Sequence, residues 1–388
     1  MHRGIDADAT RMTAMDELES RHDAARRPPR LAGDEAPCPG AVKAEPEDFR
    51  VDEIPAYAPA GEGEHCFLHV EKRDLTTQEA IRRLARALGV PPREIGAAGQ
   101  TDRRAVTTQW LSVPGVDPAD VADRVREAGL AEGPAWLRVL GAERHPKKLR
   151  TGHLRGNRFT LVVRDVDPAR ASEADALLAR LGTEGLPNYF GEQRFGRDNL
   201  AQAHAWLALG GRAPKDRFRR RMFVSAHQSG AFNAALAARV RAGELGALRS
   251  GEVCRVEASG GLFVVAPGTE DAEQARADAW ETSPTGPLFG AKMPRAEADA
   301  GAAEERLEGQ WGFGPEAYAR MGKLGQGTRR PVRVRPEGLA RDDVAEGWQL
   351  RFTLPPGSYA TVLLRELFGD PPAREAKPAP AMPAPPQV

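Results

Sequence analysis

The sequence predicts an α+β fold organised in more than one lobe. Stretches rich in β-branched and aromatic residues recur along the chain, as in Ala105-Val-Thr-Thr-Gln-Trp-Leu-Ser-Val113 and Phe159-Thr-Leu-Val-Val163. Such stretches suit a pleated, half-buried surface. Between them lie segments with apolar residues at helical spacing, introduced by capping residues. The chain has 388 residues, more than a single core usually grows to, so two domains are expected.

In order, residues 1–40 show no sustained periodicity and include Arg26-Arg-Pro-Pro-Arg30, which predicts a disordered tail with order starting near Val42. A Pro46-Glu-Asp48 turn leads into a strand on which Phe49 and Val51 alternate. Cys66, Leu68 and Val70 alternate with His65, Phe67 and His69 in a second strand. The two histidines have no third ligand at sensible spacing, so they are read as ordinary strand residues. Thr76 and Glu79 fit a capping box, Ile81, Leu84, Ala85 and Leu88 form an apolar stripe, and Gly89 closes the helix. A helix over 119–129, a strand over 136–140, the Phe159 strand and a helix over 172–181 follow. Near Lys215 the character changes, which sets 214–333 apart from 41–213 and 334–368. In that lobe the pattern predicts a helix over 223–240, short strands around Gly260-Gly261, an acidic helix over 272–280 and a turn cluster over 283–290. Trp348 to Leu354 reads as a strand and Tyr359 to Phe368 as a helix. Residues 369–388, rich in Pro and Ala, read as a second disordered tail.

Lys+Arg and Asp+Glu balance at 55 each, so any nucleic-acid signal must come from local clustering. Cys38, Cys66 and Cys254 are far apart, which supports neither a disulfide framework nor a cysteine zinc site and fits a reducing cytoplasm. No apolar run reaches the length of a membrane span. The local clusters are more informative. Arg144 to Arg158 carries Lys147, Lys148, Arg150 and Arg155 and no acid, which suits contact with a phosphate backbone. A second basic run is Arg217-Phe-Arg-Arg-Arg221. Pro187 to Gly196 packs three aromatics, an amide pair and an arginine around two glycines, a pattern of pocket walls that stack on a base. Gly99-Gln-Thr-Asp102 is a turn opening onto the Ala105 strand. The glycine permits a tight or left-handed backbone. Asp102, with Arg103 and Arg104 beside it, has the setting of an ionised nucleophile or base. It equally has the setting of a turn aspartate. These residues suit cofactor-free chemistry on a nucleotide in RNA, or a non-catalytic module that binds structured RNA.

From about Val42 to Phe368 the chain resembles the TruD-type tRNA pseudouridine synthases. The resemblance rests on Lys43-x-x-Pro-Glu-Asp-Phe-x-Val-x-Glu53, Gly61-Glu-Gly-Glu-His65, the Gly99 to Gln109 segment and Asn188-Tyr-Phe-Gly-x-Gln-Arg-Phe-Gly196. It continues through Ser229-x-x-Phe-Asn233, Thr285-Gly-Pro-Leu-Phe-Gly290 and Leu354-Pro-x-Gly-Ser-Tyr-Ala-Thr361 with Arg365-Glu366. It implies a pseudouridine synthase catalytic domain, with a mixed, curved sheet and flanking helices, into which a family-specific lobe is inserted. It implies Asp102 as the catalytic aspartate, Lys43, Glu47 and Phe49 among the substrate-binding residues, Asn188 and Phe190 in the uridine pocket, and the Tyr359 ring as the stack for the target base. It further implies uridine 13 of tRNA as the usual target, tRNA as the partner, a monomeric cytoplasmic enzyme, and no cofactor or metal. The family usually has lysine just before the catalytic aspartate. Here that residue is Thr101, which leaves Lys43, Arg103 and Arg104 as candidate counter-charges.

Overall fold

The structure, a computed structural model, describes residues 18–33 and 36–370. In chain order the first strands are β1 (Ala41–Val42), β2 (Phe49–Pro55), β3 (His65–Arg73), β4 (Gly96–Ala97), β5 (Val106–Pro114), β6 (Leu137–His145), β7 (Leu154–Arg164) and β8 (Leu186–Pro187). Then come β9 (Val253–Val256), β10 (Leu262–Val264), β11 (Thr282–Leu288), β12 (Thr328–Pro331), β13 (Arg333–Val334), β14 (Glu337–Val344) and β15 (Gly347–Leu354). The helices used below are α1 (Thr77–Leu88), α2 (Pro118–Glu127), α3 (Ala171–Glu184), α4 (Asn199–Leu207), α5 (Arg217–Arg241) and, later in the chain, Ala360–Phe368.

The largest sheet is mixed and curved and has nine strands, in the order β14-β15-β7-β2-β5-β3-β6, with β1 added to β7 and β4 to β5. All its pairs are antiparallel except β2 with β5, where Arg50 lies beside Val106. That exception positions the site. Two parallel neighbours start at the same end of a sheet, so the segment before β2 and the segment before β5 are brought together.

Alternation along the strands gives the sheet two buried faces. On one, Cys66, Leu68, Val70, Leu111 and Val113 pack against Ile81, Leu84 and Leu88 of α1 and Val121 and Val125 of α2. The predicted capping box is present: the Glu79 N–H donates to Thr76 Oγ1 at 3.1 Å, and Glu79 Oε2 accepts from the Thr76 N–H at 2.8 Å. Gly89 ends the helix in the left-handed region at φ +66°. On the other face Phe49, Val51, Phe159, Leu161, Leu350 and Phe352 join a core that runs without a break into Phe190, Phe232, Trp311 and Leu363. Burying side chains of this size contributes about 1.5–3 kcal/mol each.

A four-stranded antiparallel sheet, β10-β9-β11-β12, lies wholly within 214–333. Its core is shared with the first sheet rather than separate. Two expectations need correction here. Residues 283–290 read as a turn cluster because of Pro284, Gly286 and Pro287, but Thr282–Leu288 is a strand. β9 pairs with 282–284 and β12 with 285–288, so each proline has an open side where its missing N–H leaves no bond unmade.

The second correction concerns the expected tail at 1–40. Residues 18–26 are helical and Ala25, Leu31 and Ala32 are buried. Buried polar groups hold the segment: Glu366 Oε2 accepts the Leu31 and Ala32 N–H groups at 2.7 and 3.2 Å, and Asn233 Nδ2 donates to the Ala25 carbonyl at 2.8 Å. These partners are hundreds of positions away, so local periodicity carries no trace of them. The remainder of that tail, 1–17 and 34–35, and the C-terminal 371–388 lie outside the described residues.

Candidate active site

Asp102 stands on the segment between β4 and β5. Gly99 opens it for a reason other than the one its freedom suggests. It is absent from the left-handed positions of the backbone, and a β-carbon there would come within 3.3 Å of Glu53 Oε2. Glu53 Oε1 accepts the Trp110 N–H at 3.0 Å beyond the point where β2 and β5 stop pairing, and burial pushes this carboxyl up to about 7. Thr101 closes a polar network on the α1 side. Its N–H donates to Thr77 Oγ1 at 3.0 Å, and its hydroxyl donates to Gln109 Oε1 at 2.9 Å.

The counter-charge of Asp102 is Lys43, whose Nζ lies 3.3 Å from Oδ2 and 3.8 Å from the Phe49 ring centroid. Arg103 pairs instead with Asp74 at 3.6 Å, and Arg104 donates to the Ala44 carbonyl at 2.6 Å. Lys43 has φ +58°, a conformation that costs a side-chain-bearing residue about 1 kcal/mol or more and tends to persist at functional sites. The following turn is fixed by Asp48, which is buried, accepts the Glu45 N–H at 2.9 Å and pairs with Arg164 at 2.7 Å. Glu47, on the same turn, is exposed and engaged by Arg73 at 2.6 Å. Among the described residues, no hydrogen bond or ion pair joins it to Asp102.

Sequence reasoning misses a second cation at this turn. Lys72 reads as one more residue of an alternating strand, yet it is fully buried. Its ammonium donates to the Leu75 carbonyl and, at 3.2 Å, to the Asp102 carbonyl. Burial pushes it down to about 8, against the pull of Asp102 and Glu79. A lysine lowered from an ordinary value near 10.5 destabilises the fold while both states are protonated. That penalty is relieved as pH rises through 8 toward 10, where the unfolded chain binds a proton the folded chain does not. Relative to Lys72→Met, the wild-type protein is therefore expected to gain about 2 kcal/mol between pH 7.5 and 9.5. Urea titrations of both proteins at the two pH values check this, and a constant difference would refute it.

The second group belongs to the core on the Phe49 face of the large sheet. Asn188 is buried, donates from Nδ2 to the Pro331 carbonyl at 2.9 Å and accepts at Oδ1 from Arg330 at 2.6 Å. Phe190 meets Tyr359 edge to face, with centroids 6.3 Å apart, and Phe232 at 5.5 Å. The Tyr359 hydroxyl accepts from Arg194 at 2.9 Å. Both rings join the core that contains Phe49. Among the described residues, no hydrogen bond, ion pair or ring contact links Asn188, Phe190 or Tyr359 directly to Lys43 or Asp102. Arg330 is the other residue that sequence reasoning misses. Its signal is faint: one arginine in the run from Arg329 to Arg335 whose strand neighbours face elsewhere.

The basic stretch is less uniform than it reads. It spans the end of β6, the connecting loop and the start of β7. Arg144 is 3.8 Å from Asp117, and Lys148 Nζ donates to the Arg93 carbonyl at 2.8 Å. Lys147, Arg150, Arg155 and Arg158 are exposed and, among the described residues, pair with no carboxylate. Arg158 is adjacent to Phe159 on β7, so alternation turns it away from the face that carries Phe49. His69 stacks on Trp110 at 4.8 Å. Among the described residues no group of three or more His, Cys, Asp or Glu could hold a metal ion, and no helix is long and apolar enough to cross a membrane.

The family model described as tRNA pseudouridine synthase D (TruD) matches residues 30–205 and 216–367. A tRNA pseudouridine synthase D of Anaeromyxobacter dehalogenans is 47% identical over 336 residues, covering 84% of this chain and 92% of its own length. One of Thermus thermophilus is 40% identical over 332 residues, covering 85% and 88%. A crystal structure from Methanosarcina mazei, assigned to the same synthase, superposes with a TM-score of 0.66 at 25% identity, covering 90% of this chain and 98% of its own. Every motif stretch from Lys43 to Glu366 falls inside the matched span, and the chain belongs to the tRNA pseudouridine synthase D family of isomerases.

Proposed function

We propose that the protein converts a uridine of tRNA, uridine 13, to pseudouridine, with Asp102 as the catalytic group. The observation that carries this reading is the Lys43–Asp102 pair at 3.3 Å, on a turn built by a parallel strand pair, with the Lys43 ammonium over the Phe49 ring, whose core also takes in Phe190 and Tyr359. The reaction breaks the N1–C1′ bond of uridine, turns the uracil and joins C5 to C1′, and the proton on C5 is lost as N1 gains one. Nothing is oxidised and nothing leaves the site. The carboxylate of Asp102 attacks C1′ or removes the C2′ proton, and the Lys43 ammonium stands 3.3 Å from it in either route.

The target must leave its stack to reach Asp102, at a cost of a few kcal/mol. Tyr359 offsets part of this by stacking on the base, with Phe190 and Asn188 as pocket walls. Glu47 enters only through Arg73, which it holds beside the Asp74–Arg103 pair. Apolar walls also keep water from the reacting C1′, as an isomerase requires and a hydrolase does not. The protein works as a monomer, and residues 214–333 form the inserted lobe.

Incubating unmodified tRNA transcripts with the purified protein and mapping pseudouridine is expected to show conversion at one position. A transcript set with no pseudouridine would overturn the reading and leave an RNA-binding module. Backbone contact from 144–158 predicts a steep salt dependence of affinity. Lys147→Ala with Arg150→Ala is expected to flatten the log–log salt slope by about two, whereas Arg144→Ala, already engaged by Asp117, should change it by less than about one. Binding isotherms at several salt concentrations measure both.

A further inference from the structure

Arg330 and Arg194 both stand over one aromatic ring. Their Cζ atoms lie 4.1 and 5.3 Å from the Phe190 centroid. Among the described residues, every protein acceptor that either guanidinium meets is uncharged. Arg330 donates to the Asn188 carbonyl at 3.1 Å, to Asn188 Oδ1 at 2.6 Å and to the Gly357 carbonyl at 2.8 Å. Arg194 donates to the Ser225 hydroxyl at 3.1 Å and the Tyr359 hydroxyl at 2.9 Å. Among the described residues neither forms an ion pair. Arg329, next on the same strand, shows the ordinary alternative, with two bonds of 2.7 and 2.8 Å to the carboxylate of Glu304.

Two like charges around one ring with no counter-ion work against folding. Burial, with some repulsion from Arg194, already pushes Arg330 down to about 10. Arg330 Nη1 and Arg194 Nε have no protein acceptor among the described residues, so donors remain free for a ligand. The ligand that neutralises this arrangement is an anion, and a planar guanidinium suits a phosphate oxygen. In RNA the anionic group is the backbone phosphodiester.

We propose that Arg330 and Arg194 together form a receptor for one phosphodiester, the one flanking the nucleotide that enters the pocket between Phe190 and Tyr359. It rests on the reading that this pocket takes the target uridine. The two side chains tie the 188–194 segment to Gly357, Tyr359 and Ser225, so binding the phosphate also draws the pocket walls together around the base.

The test uses a substrate RNA carrying a single neutral methylphosphonate immediately 5′ or 3′ of the target uridine. With the wild-type protein, kcat/KM is expected to fall about tenfold or more at one of the two linkages, the worth of hydrogen bonds to a charged group. Arg330→Met is expected to lose a similar factor on all-phosphate RNA and then to be indifferent to that linkage. Arg194→Gln, which leaves the Asn188 and Gly357 bonds in place, should show the same pattern more weakly, and it carries the test if Arg330→Met does not fold. Indifference of the wild-type protein to both linkages would overturn the proposal. So would independent, multiplying effects of mutation and linkage, because the arginines would then act elsewhere. Failure of the wild-type protein to convert that uridine in all-phosphate RNA would overturn the pocket reading itself, and this inference with it.

Discussion

Asp102→Asn is expected to abolish pseudouridine formation, a fall in turnover of about 10⁴-fold or more, with the fold and tRNA affinity retained. The substitution is isosteric and removes only the charge. The Asp102 side chain is 39% exposed and its ion pair is the one with Lys43, and a pair this exposed contributes about 0–1 kcal/mol to stability. The Lys72 bond goes to the Asp102 carbonyl and survives. Asparagine can neither attack C1′ nor take the C2′ proton, so both routes fail together. Arg103→Gln is the matched control: its guanidinium is turned to Asp74, and near-normal turnover is expected. Single-turnover conversion of a tRNA transcript, with melting temperature and binding measured alongside, separates these outcomes. Turnover of Asp102→Asn within tenfold of wild type would remove Asp102 from the chemistry.

The Asp102 turn was legible because its signals are local. A glycine, a polar turn and a β-branched strand lie within a dozen residues, and the capping box of α1 is legible for the same reason. The sequence left Lys43, Arg103 and Arg104 as candidate counter-charges, and the choice of Lys43 was not legible. It depends on β2 and β5 being parallel and on Arg50 lying beside Val106, a register that no single strand encodes. Lys72 hides in an alternating strand, because alternation says which face a residue takes and nothing about what covers that face. Arg330 hides among arginines whose partners come from distant segments, such as Glu304 for Arg329. The helix over 18–26 hides because Asn233 and Glu366 hold its neighbourhood from afar. Gly99 shows the same limit at one position: its type was legible as a special residue, but the reason is the approach of Glu53, which only the packed chain reveals.

Tyr359 gives the second large effect. If its ring stacks on the target base, Tyr359→Ala is expected to lower kcat/KM by about 5- to 150-fold, the equivalent of 1–3 kcal/mol of base stacking. Affinity for whole tRNA should change little, because the backbone cations supply most of it. From sequence the ring alone carries the role, which predicts that Tyr359→Phe is silent. The structure gives the hydroxyl a function as well, since it accepts the Arg194 bond at 2.9 Å. Removing that acceptor frees a guanidinium beside the Phe190 ring, so Tyr359→Phe is expected to lose about two- to tenfold. The ordering distinguishes the two contributions. Wild-type activity in both variants would exclude the stack. Equal losses in both would assign the effect to the hydroxyl and its hold on Arg194, because phenylalanine keeps the ring in place against Gly191, where a β-carbon would already stand 3.5 Å from it.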